Sequence, residues 1–428
     1  MAKIAFIGAG SVVFARSLIC DVLSFPELAG STLALMDIDP GRLDLIAALA
    51  SKTLQENQLP AKVESTLDRR RALDGADYVI VMIQVGGLDA FKTDVEIPRR
   101  YGIDQTVGDT LGPGGVFRGL RTVPVLVDIC RDMSELCPEA LLVNYSNPMA
   151  INCWGLNAAT KIKNVGLCHS VQGTAAQLAG YIGVPYEEVS YWAAGINHMS
   201  WFLEFKHNGQ DAYPALRRAM DDPGIFAKDR VRFEIMRHFD YFVTESTHHM
   251  SEYVPYFRKN REMADEWTKP RWDYYEICSQ NWEPFYDKIR AQIRGEVEIE
   301  PITRSNEYGS RIIHSIETGA PCRINGTVEN KGLITNLPDR CAVEVPILVD
   351  RTGLRPCFVG DLPPQCAALN RSNINVQQLA VEAALEKNKH KAFQAIALDP
   401  LTSALLDLRQ IQKMVDEMWE AEQEWLKG

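Results

Sequence analysis

KIAFIGAG, Lys3 to Gly10, runs as an apolar stretch straight into glycines, and SVVFARSLICDVLSF (Ser11 to Phe25) follows with apolar residues at helical spacing. Strand, tight turn, helix is the opening of a dinucleotide-binding unit, where glycines let the backbone turn sharply and approach a pyrophosphate at the helix N-terminus. STLALMDID (Ser31 to Asp39) supplies the next strand, and Asp37 near its end is an acid that can hold ribose hydroxyls. Gly8, Gly10, Ser11 and Asp37 are the candidate cofactor residues. The fingerprint is incomplete, because Val13 stands where a third glycine is usual and Asp37 comes later than the typical offset of about 20 residues. A tight turn followed by an ordinary strand-end acid fits the same letters. Asp37 would repel a 2′-phosphate, so the cofactor expected is NAD rather than NADP.

Working outward, DYVIVMI (Asp77 to Ile83), ALLVNY (Ala140 to Tyr145) and NVGLC (Asn164 to Cys168) read as further strands, with a helix up to about Gln58 and another from Thr122 to about Glu135. Strands alternating with helices predict an α/β fold with a Rossmann-like, doubly wound parallel sheet. Residues 1–190 form the expected NAD-binding domain. Residues 191–428 are expected to be a mixed α/β domain for metal and substrate, aromatic-rich around MRHFDYFVTESTHHMSEYVPYF (Met236 to Phe257) and helical over Gln377 to Ala397 and Thr402 to Lys427. A chain of 428 residues exceeds the roughly 250–300 that one core usually supports, and no repeat or flexible linker separates the lobes, so they are expected to pack tightly.

The net charge of −11 disfavours nucleic acid and anionic membranes, both of which demand a basic face, and favours a small-molecule ligand. Ten cysteines spread over this length suggest reduced thiols rather than a disulfide scaffold. The first residues enter a strand at once and no apolar run reaches about 18 residues, so a cytoplasmic location is expected.

A second constellation comprises Asn147 in NYSNP, Cys168-His169 in GLCHSVQGT and His198 in AGINHMSW. Asn147 and Cys168 fall at the carboxyl ends of parallel strands, where such sheets hold their ligands. A thiolate and an imidazole could share one ion there, leaving positions open for substrate oxygens, as Lewis-acid chemistry requires. Each residue alone reads as a buried cysteine or a satisfied core histidine, and the spacing is not that of a structural zinc motif.

GAGS near the N-terminus, LMDID, DTLGPGG (Asp109 to Gly115), NYSNP, GLCHSVQGT, AGINHMSW and NKGLITNLP (Asn330 to Pro338) together resemble glycoside hydrolase family 4, over nearly the whole chain. The resemblance implies an NAD- and divalent-metal-dependent glycosidase acting on a small α-glycoside, most similar to the α-galactosidase branch, with α-galacturonidase, α-glucosidase and phospho-glycosidase left open. It implies Cys168 and His198 as ligands of a divalent ion, usually Mn²⁺, and Asn147 as a sugar contact. The implied reaction oxidises C3 of the sugar transiently, removes the C2 proton and eliminates the glycosidic oxygen, with no net redox change. The base is then a tyrosine of the second lobe, with Tyr253 first and Tyr256 second, and Asp109 is an acid that would raise its basicity. Tyr253 reads equally as aromatic core, and Asp109 as a cap before the GPGG turn.

Where some relatives carry an acid after the metal cysteine, this chain has His169. His169 and Glu245 are the candidate proton donors, or else contacts to a sugar hydroxyl. His248 and His249 read as surface or supporting residues, and Arg261 as solvated. Relatives of this kind are commonly homodimers or homotetramers. A 2-hydroxyacid dehydrogenase remains as a reading of another class, since it shares the glycine turn and an asparagine-proline after a strand, although it would hold its substrate with arginine where this chain reads GLCHSVQGT.

Overall fold

The computed structural model describes residues 1–11 and 14–427, so Val13 lies outside the described residues. One 12-stranded sheet runs through the molecule. Its strands are β1 (Lys3–Ile7), β2 (Thr32–Met36), β3 (Lys62–Thr66), β4 (Tyr78–Val81), β5 (Leu141–Asn144), β6 (Asn164–Gly166), β7 (Val189–Ile196), β8 (Met199–His207), β9 (Gln210–Asp211), β10 (Cys322–Glu329), β11 (Ala342–Asp350) and β12 (Gly353–Pro356). The first six lie parallel in the order β3-β2-β1-β4-β5-β6. This is the doubly wound arrangement, and its order reverses between β1 and β4, opening a crevice at their carboxyl ends. Beyond β6 the sheet continues through antiparallel β10, β11, β7, β8 and β9, with β12 pairing on β11.

The central strands are apolar on both faces because helices cover both; Ile4, Phe6, Val79, Val81 and Val143 are all fully buried. β3 escaped the sequence reading for the complementary reason. It is an edge strand, KVEST, with an exposed polar face that carries no apolar run. The helix expected from Thr122 begins instead at Gly112. GPGG reads as a turn, but Gly114 and Gly115 sit in the helix start because it packs hard against the preceding loop: a Cβ on Gly114 would stand 2.4 Å from the Gly108 carbonyl oxygen, and one on Gly115 2.4 Å from the carbonyl carbon of Thr110.

The helical patterns near the C-terminus are correct in type but each is interrupted. Gln377 to Ala397 spans the end of a helix from Pro364 to Glu386 and a second from Lys389 to Leu398, divided by Lys387 at φ 51° and by Asn388, which caps the second. Thr402 to Lys427 falls into Pro400–Leu405 and Leu408–Ala421, where Asp407 and Gln410 form a capping box. No helix among the described residues is long and apolar enough to cross a membrane, and all ten cysteines are free.

The glycine turn lies at the switch point. Gly8 has φ 88°, and a Cβ there would stand 2.6 Å from the Met82 carbonyl oxygen, so the turn after β1 is pressed against the segment leaving β4. Gly8→Ala is expected to destabilise the fold by about 1–3 kcal/mol, read as a lower urea midpoint at unchanged slope. An unchanged midpoint would remove the claim of close approach.

Candidate active site

At the crevice, the Gly10 N–H donates to Asp37 Oδ2 at 2.8 Å and the Asp39 N–H donates to Asp37 Oδ1 at 2.9 Å. The acid ending β2 is thereby aimed back at the glycine turn. Ser11 Oγ accepts from the Phe14 N–H at 3.3 Å, and Ile38, 88% exposed, offers apolar surface beside Asp37. The helix Tyr274–Arg294 closes over this edge, with Tyr286 Oη donating to the Gly10 carbonyl at 3.0 Å.

Three strands along from β1, Cys168 follows the carboxyl end of β6. Its sulfur lies 3.3 Å from His198 Nε2 and 3.9 Å from Glu245 Oε2, while His198 Nε2 and Glu245 Oε2 are 3.7 Å apart. One ligand atom from each of these three residues lies within 4.8 Å of the others. The donors come from three parts of the chain: the β6 end, the connection between β7 and β8, and the loop before the helix Thr247–Tyr253. Two hold unfavourable backbone to do so. His198 has φ 63° and Glu245 φ 81°, conformations that cost a residue with a Cβ about 1–3 kcal/mol and that recur at functional sites.

Electrostatics fit a cation at this point. Burial, reinforced by the Glu245 carboxylate, pushes the Cys168 thiol up to about 12. Burial also works against the Glu245 carboxylate, yet His249, His198, His169 and Arg232 around it hold it down at about 2. Glu245 is therefore ionised at neutral pH, whereas burial keeps His249, its neighbour at 3.7 Å, down at about 4 and uncharged. A sulfur, an imidazole nitrogen and a carboxylate oxygen at these distances fit one coordination face of a divalent ion, whose charge would favour the thiolate that burial disfavours. Histidine and sulfur are borderline to soft ligands, and the carboxylate supplies the harder oxygen that Mn²⁺ prefers.

Tyr253 is buried, with its ring 6.4 Å from that of His198 and its Oη donating to Thr110 Oγ1 at 3.0 Å. Burial pushes its phenol well above 10; Asp109 and Glu245 push the same way, and Thr110 opposes them. Asp109 Oδ2 accepts from Arg118 Nη1 at 3.1 Å and from Asn147 Nδ2 at 3.4 Å, so the Asp109 carboxylate and the Asn147 amide are neighbours. The His169 ring is 61% exposed and meets Glu307 at 3.4 Å; the hydrogen bond to Glu307 holds it up at about 10, with the Cys168 sulfur adding to the effect.

Several sequence expectations need adjusting. Tyr256 is 44% exposed and stacks on Phe239, away from the cluster. His248 and His249 are not surface residues: His248 is 5% exposed, and the His249 ring lies edge-on to His198 at 4.7 Å. Arg261 is solvated, paired with Asp265. Thr110, Arg118 and Glu307 escaped the reading, since their partners Tyr253, Asp109 and His169 are joined to them only by the fold. Glu245, a candidate proton donor or sugar contact by sequence, has its carboxylate among the prospective ligand atoms.

The comparisons fit this geometry. The model "Family 4 glycosyl hydrolase" matches residues 3–184, and "Family 4 glycosyl hydrolase C-terminal domain" matches residues 193–402. An α-galactosidase of Bacillus subtilis (strain 168) is 45% identical, over 100% of this chain and 99% of its own length. An α-galactosidase of Rhizobium meliloti (strain 1021) is 38% identical, over 99% of this chain and 89% of its own. A crystal structure of a 6-phospho-α-glucosidase from gut microorganisms, in complex with NAD and Mn²⁺, superposes with a TM-score of 0.84 at 20% identity, covering 99% of this chain and 98% of that one.

His198→Gly removes a candidate ligand while relieving the backbone at φ 63°. Its urea midpoint is expected to shift by no more than about 1 kcal/mol in equivalent stability, because relieved strain offsets the lost side chain. Divalent-ion affinity, measured by titration of Mn²⁺, should fall by roughly 100-fold or more; retained affinity would exclude His198 as a ligand. With its fold, its two matched regions and its full-length relatives, the chain belongs to family 4 of the glycosyl hydrolases.

Proposed function

We propose that this protein is an NAD⁺- and divalent-metal-dependent α-galactosidase that opens the glycosidic bond through transient oxidation of the sugar ring. The observation that carries this reading is the Cys168, His198 and Glu245 cluster, whose Cys168 follows β6, three strands from the glycine turn after β1 and at the same carboxyl edge of the parallel half of the sheet. The 45% identity to an α-galactosidase over the full chain supports the sugar, and the NAD and Mn²⁺ held by the 6-phospho-α-glucosidase structure support the cofactors. Bound NAD⁺ would supply a reversible hydride acceptor, and the divalent ion a Lewis acid toward neighbouring sugar oxygens.

The chain's own residues do the remainder. Gly8, Gly10 and Ser11 form the turn that would receive the pyrophosphate, while Asp37 holds the ribose. Cys168 and His198 hold the ion with Glu245, which we assign as a third ligand rather than a proton donor because its carboxylate stays ionised. Tyr253 Oη receives the C2 proton; Asp109, close enough to influence it, raises its basicity, and a bound cation would offset the burial that resists phenolate formation. Asn147 holds a sugar hydroxyl beside Asp109. His169, kept protonated by Glu307 and open to solvent, donates the proton to the departing oxygen.

This reading extends to the rest of the chain as two lobes, 1–190 and 191–428, in a cytoplasmic homodimer or homotetramer. Free cysteines support a reducing compartment, and exposed Leu348 and Phe358 offer apolar surface to a second copy.

Stripped of dinucleotide, the enzyme is expected to lose turnover of a nitrophenyl α-galactoside and to regain it with NAD⁺ and Mn²⁺, without net NADH; full activity after stripping would end the proposal. Run in deuterated water, the released sugar should carry deuterium at C2. Tyr253→Phe should lower kcat by roughly 10²–10⁴-fold while Mn²⁺ and NAD⁺ titrate as in the parent, and a kcat unchanged by this substitution would reassign the base.

A further inference from the structure

Four pieces of chain meet around the guanidinium of Arg121, whose side chain is fully buried in the helix Gly112–Leu136. Arg121 Nε donates to the Val85 carbonyl at 3.0 Å, and Nη1 donates to Asp94 Oδ1 at 2.9 Å and to Glu422 Oε2 at 2.8 Å. Asp94 belongs to the helix Gly87–Arg100, and Glu422 follows directly on the C-terminal helix Leu408–Ala421. Both carboxylates are fully buried. Three residues on, Trp425 lies against Gly86, such that a Cβ built there would stand 3.0 Å from Trp425 Cδ2.

Val85 and Gly86 belong to the segment that leaves β4, and that segment is one wall of the crevice. It begins at Met82, whose N–H donates to the Ile7 carbonyl at 3.0 Å and whose own carbonyl abuts Gly8. The chain's last residues therefore grip, from behind, a loop that touches the glycine turn from in front. Burying two carboxylates around one guanidinium is a poor route to stability, since desolvation offsets most of the attraction, but it fixes geometry closely because every group must keep its partner.

We propose that Arg121, Glu422 and Trp425 are positioning residues for the dinucleotide: they hold the Val85–Gly86 backbone where the bound nicotinamide half requires it, so that the C-terminal segment sets NAD⁺ affinity without touching NAD⁺. This rests on the NAD⁺ reading above. Trp425 removes the space into which Gly86 would relax, and Glu422 keeps Arg121 turned toward the Val85 carbonyl.

The test is calorimetric titration of NAD⁺ into the full chain, with Mn²⁺ affinity and thermal midpoint recorded alongside, for Trp425→Ala, Glu422→Ala and Glu422→Gln. Trp425→Ala and Glu422→Ala are each expected to raise the NAD⁺ Kd by at least tenfold at a temperature well below their midpoints, with Mn²⁺ affinity within twofold of the parent. Glu422→Gln, whose amide keeps an acceptor for Arg121 and offers a donor to Asp94, should return the Kd to within threefold. An NAD⁺ Kd unmoved in Trp425→Ala, or NAD⁺ and Mn²⁺ affinities falling together, would overturn the proposal. Failure of the parent chain to bind NAD⁺ would instead overturn the NAD⁺ reading itself. If Glu422→Ala does not fold, the half-buried Trp425 still decides the matter.

Discussion

A thiol and a carboxylate held 3.9 Å apart in a largely buried site repel each other once the thiol ionises, and the rest of this active site depends on what relieves that repulsion. Burial and Glu245 together push Cys168 up to about 12, so the sulfur is a neutral thiol at pH 7 unless positive charge arrives. A divalent ion reverses the sign of the problem, because it is attracted at once by the sulfur, by Glu245 and by the lone pair of His198 Nε2. A divalent ion bound by this set would therefore release the thiol proton, and its affinity would rise with pH over the range in which the free thiol is protonated. The same positive charge bears on Tyr253, whose phenol is raised by burial and by the carboxylates of Asp109 and Glu245. Coordination and basicity are thus coupled through a shared field.

The sheet makes that coupling possible by putting both chemistries on one edge. In the order β3-β2-β1-β4-β5-β6, the glycine turn ends β1, Asn147 follows β5 and Cys168 follows β6, so the candidate cofactor, sugar and ion contacts all sit at carboxyl ends of the parallel strands. His198, Glu245 and Tyr253 reach this edge from residues beyond 190. His198 rides on the β7–β8 connection, and β7 is joined to the parallel strands through β11 and β10 rather than directly. Beneath it Glu344 on β11, fully buried, accepts from Ser200 Oγ at 2.6 Å, and burial lifts its carboxyl to about 7. The hairpin that presents His198 is thus anchored by a polar contact to its neighbouring strand.

How much of this was legible in the linear chain follows from the range of each interaction. The parallel half announced itself because buried central strands must be apolar and turns between strand and helix must be glycine-rich, which are local demands. Edge strand β3 did not, because half of it faces solvent. Asn147 and Cys168 stood out because strand ends mark where such sheets hold ligands, whereas Asp109 stood out only through the family resemblance. By contrast, the contacts Asp109–Arg118, His169–Glu307 and Arg121–Glu422 are side-chain agreements between segments that only the folded chain brings together. Glu245 lies between these cases: its chemistry was visible, but its part in the cluster rests on a backbone angle of φ 81° that no periodicity encodes.

That angle, with φ 63° at His198, works against the residues that stand there. At both positions glycine or asparagine would suit the backbone better, so local preference points away from histidine and glutamate. Cys168 needs no such distortion, since the strand it follows already points at the crevice. The free energy of holding two ligands in left-handed backbone must come from the surrounding packing, and the environment supplies it: His198 is 3% exposed at the end of a strand pair whose Ala194, Ile196, Met199 and Trp201 are fully buried. Removing the strain would relax the turn and disperse the three donors, so a softer loop at either position would weaken the ion site even with all three ligands intact.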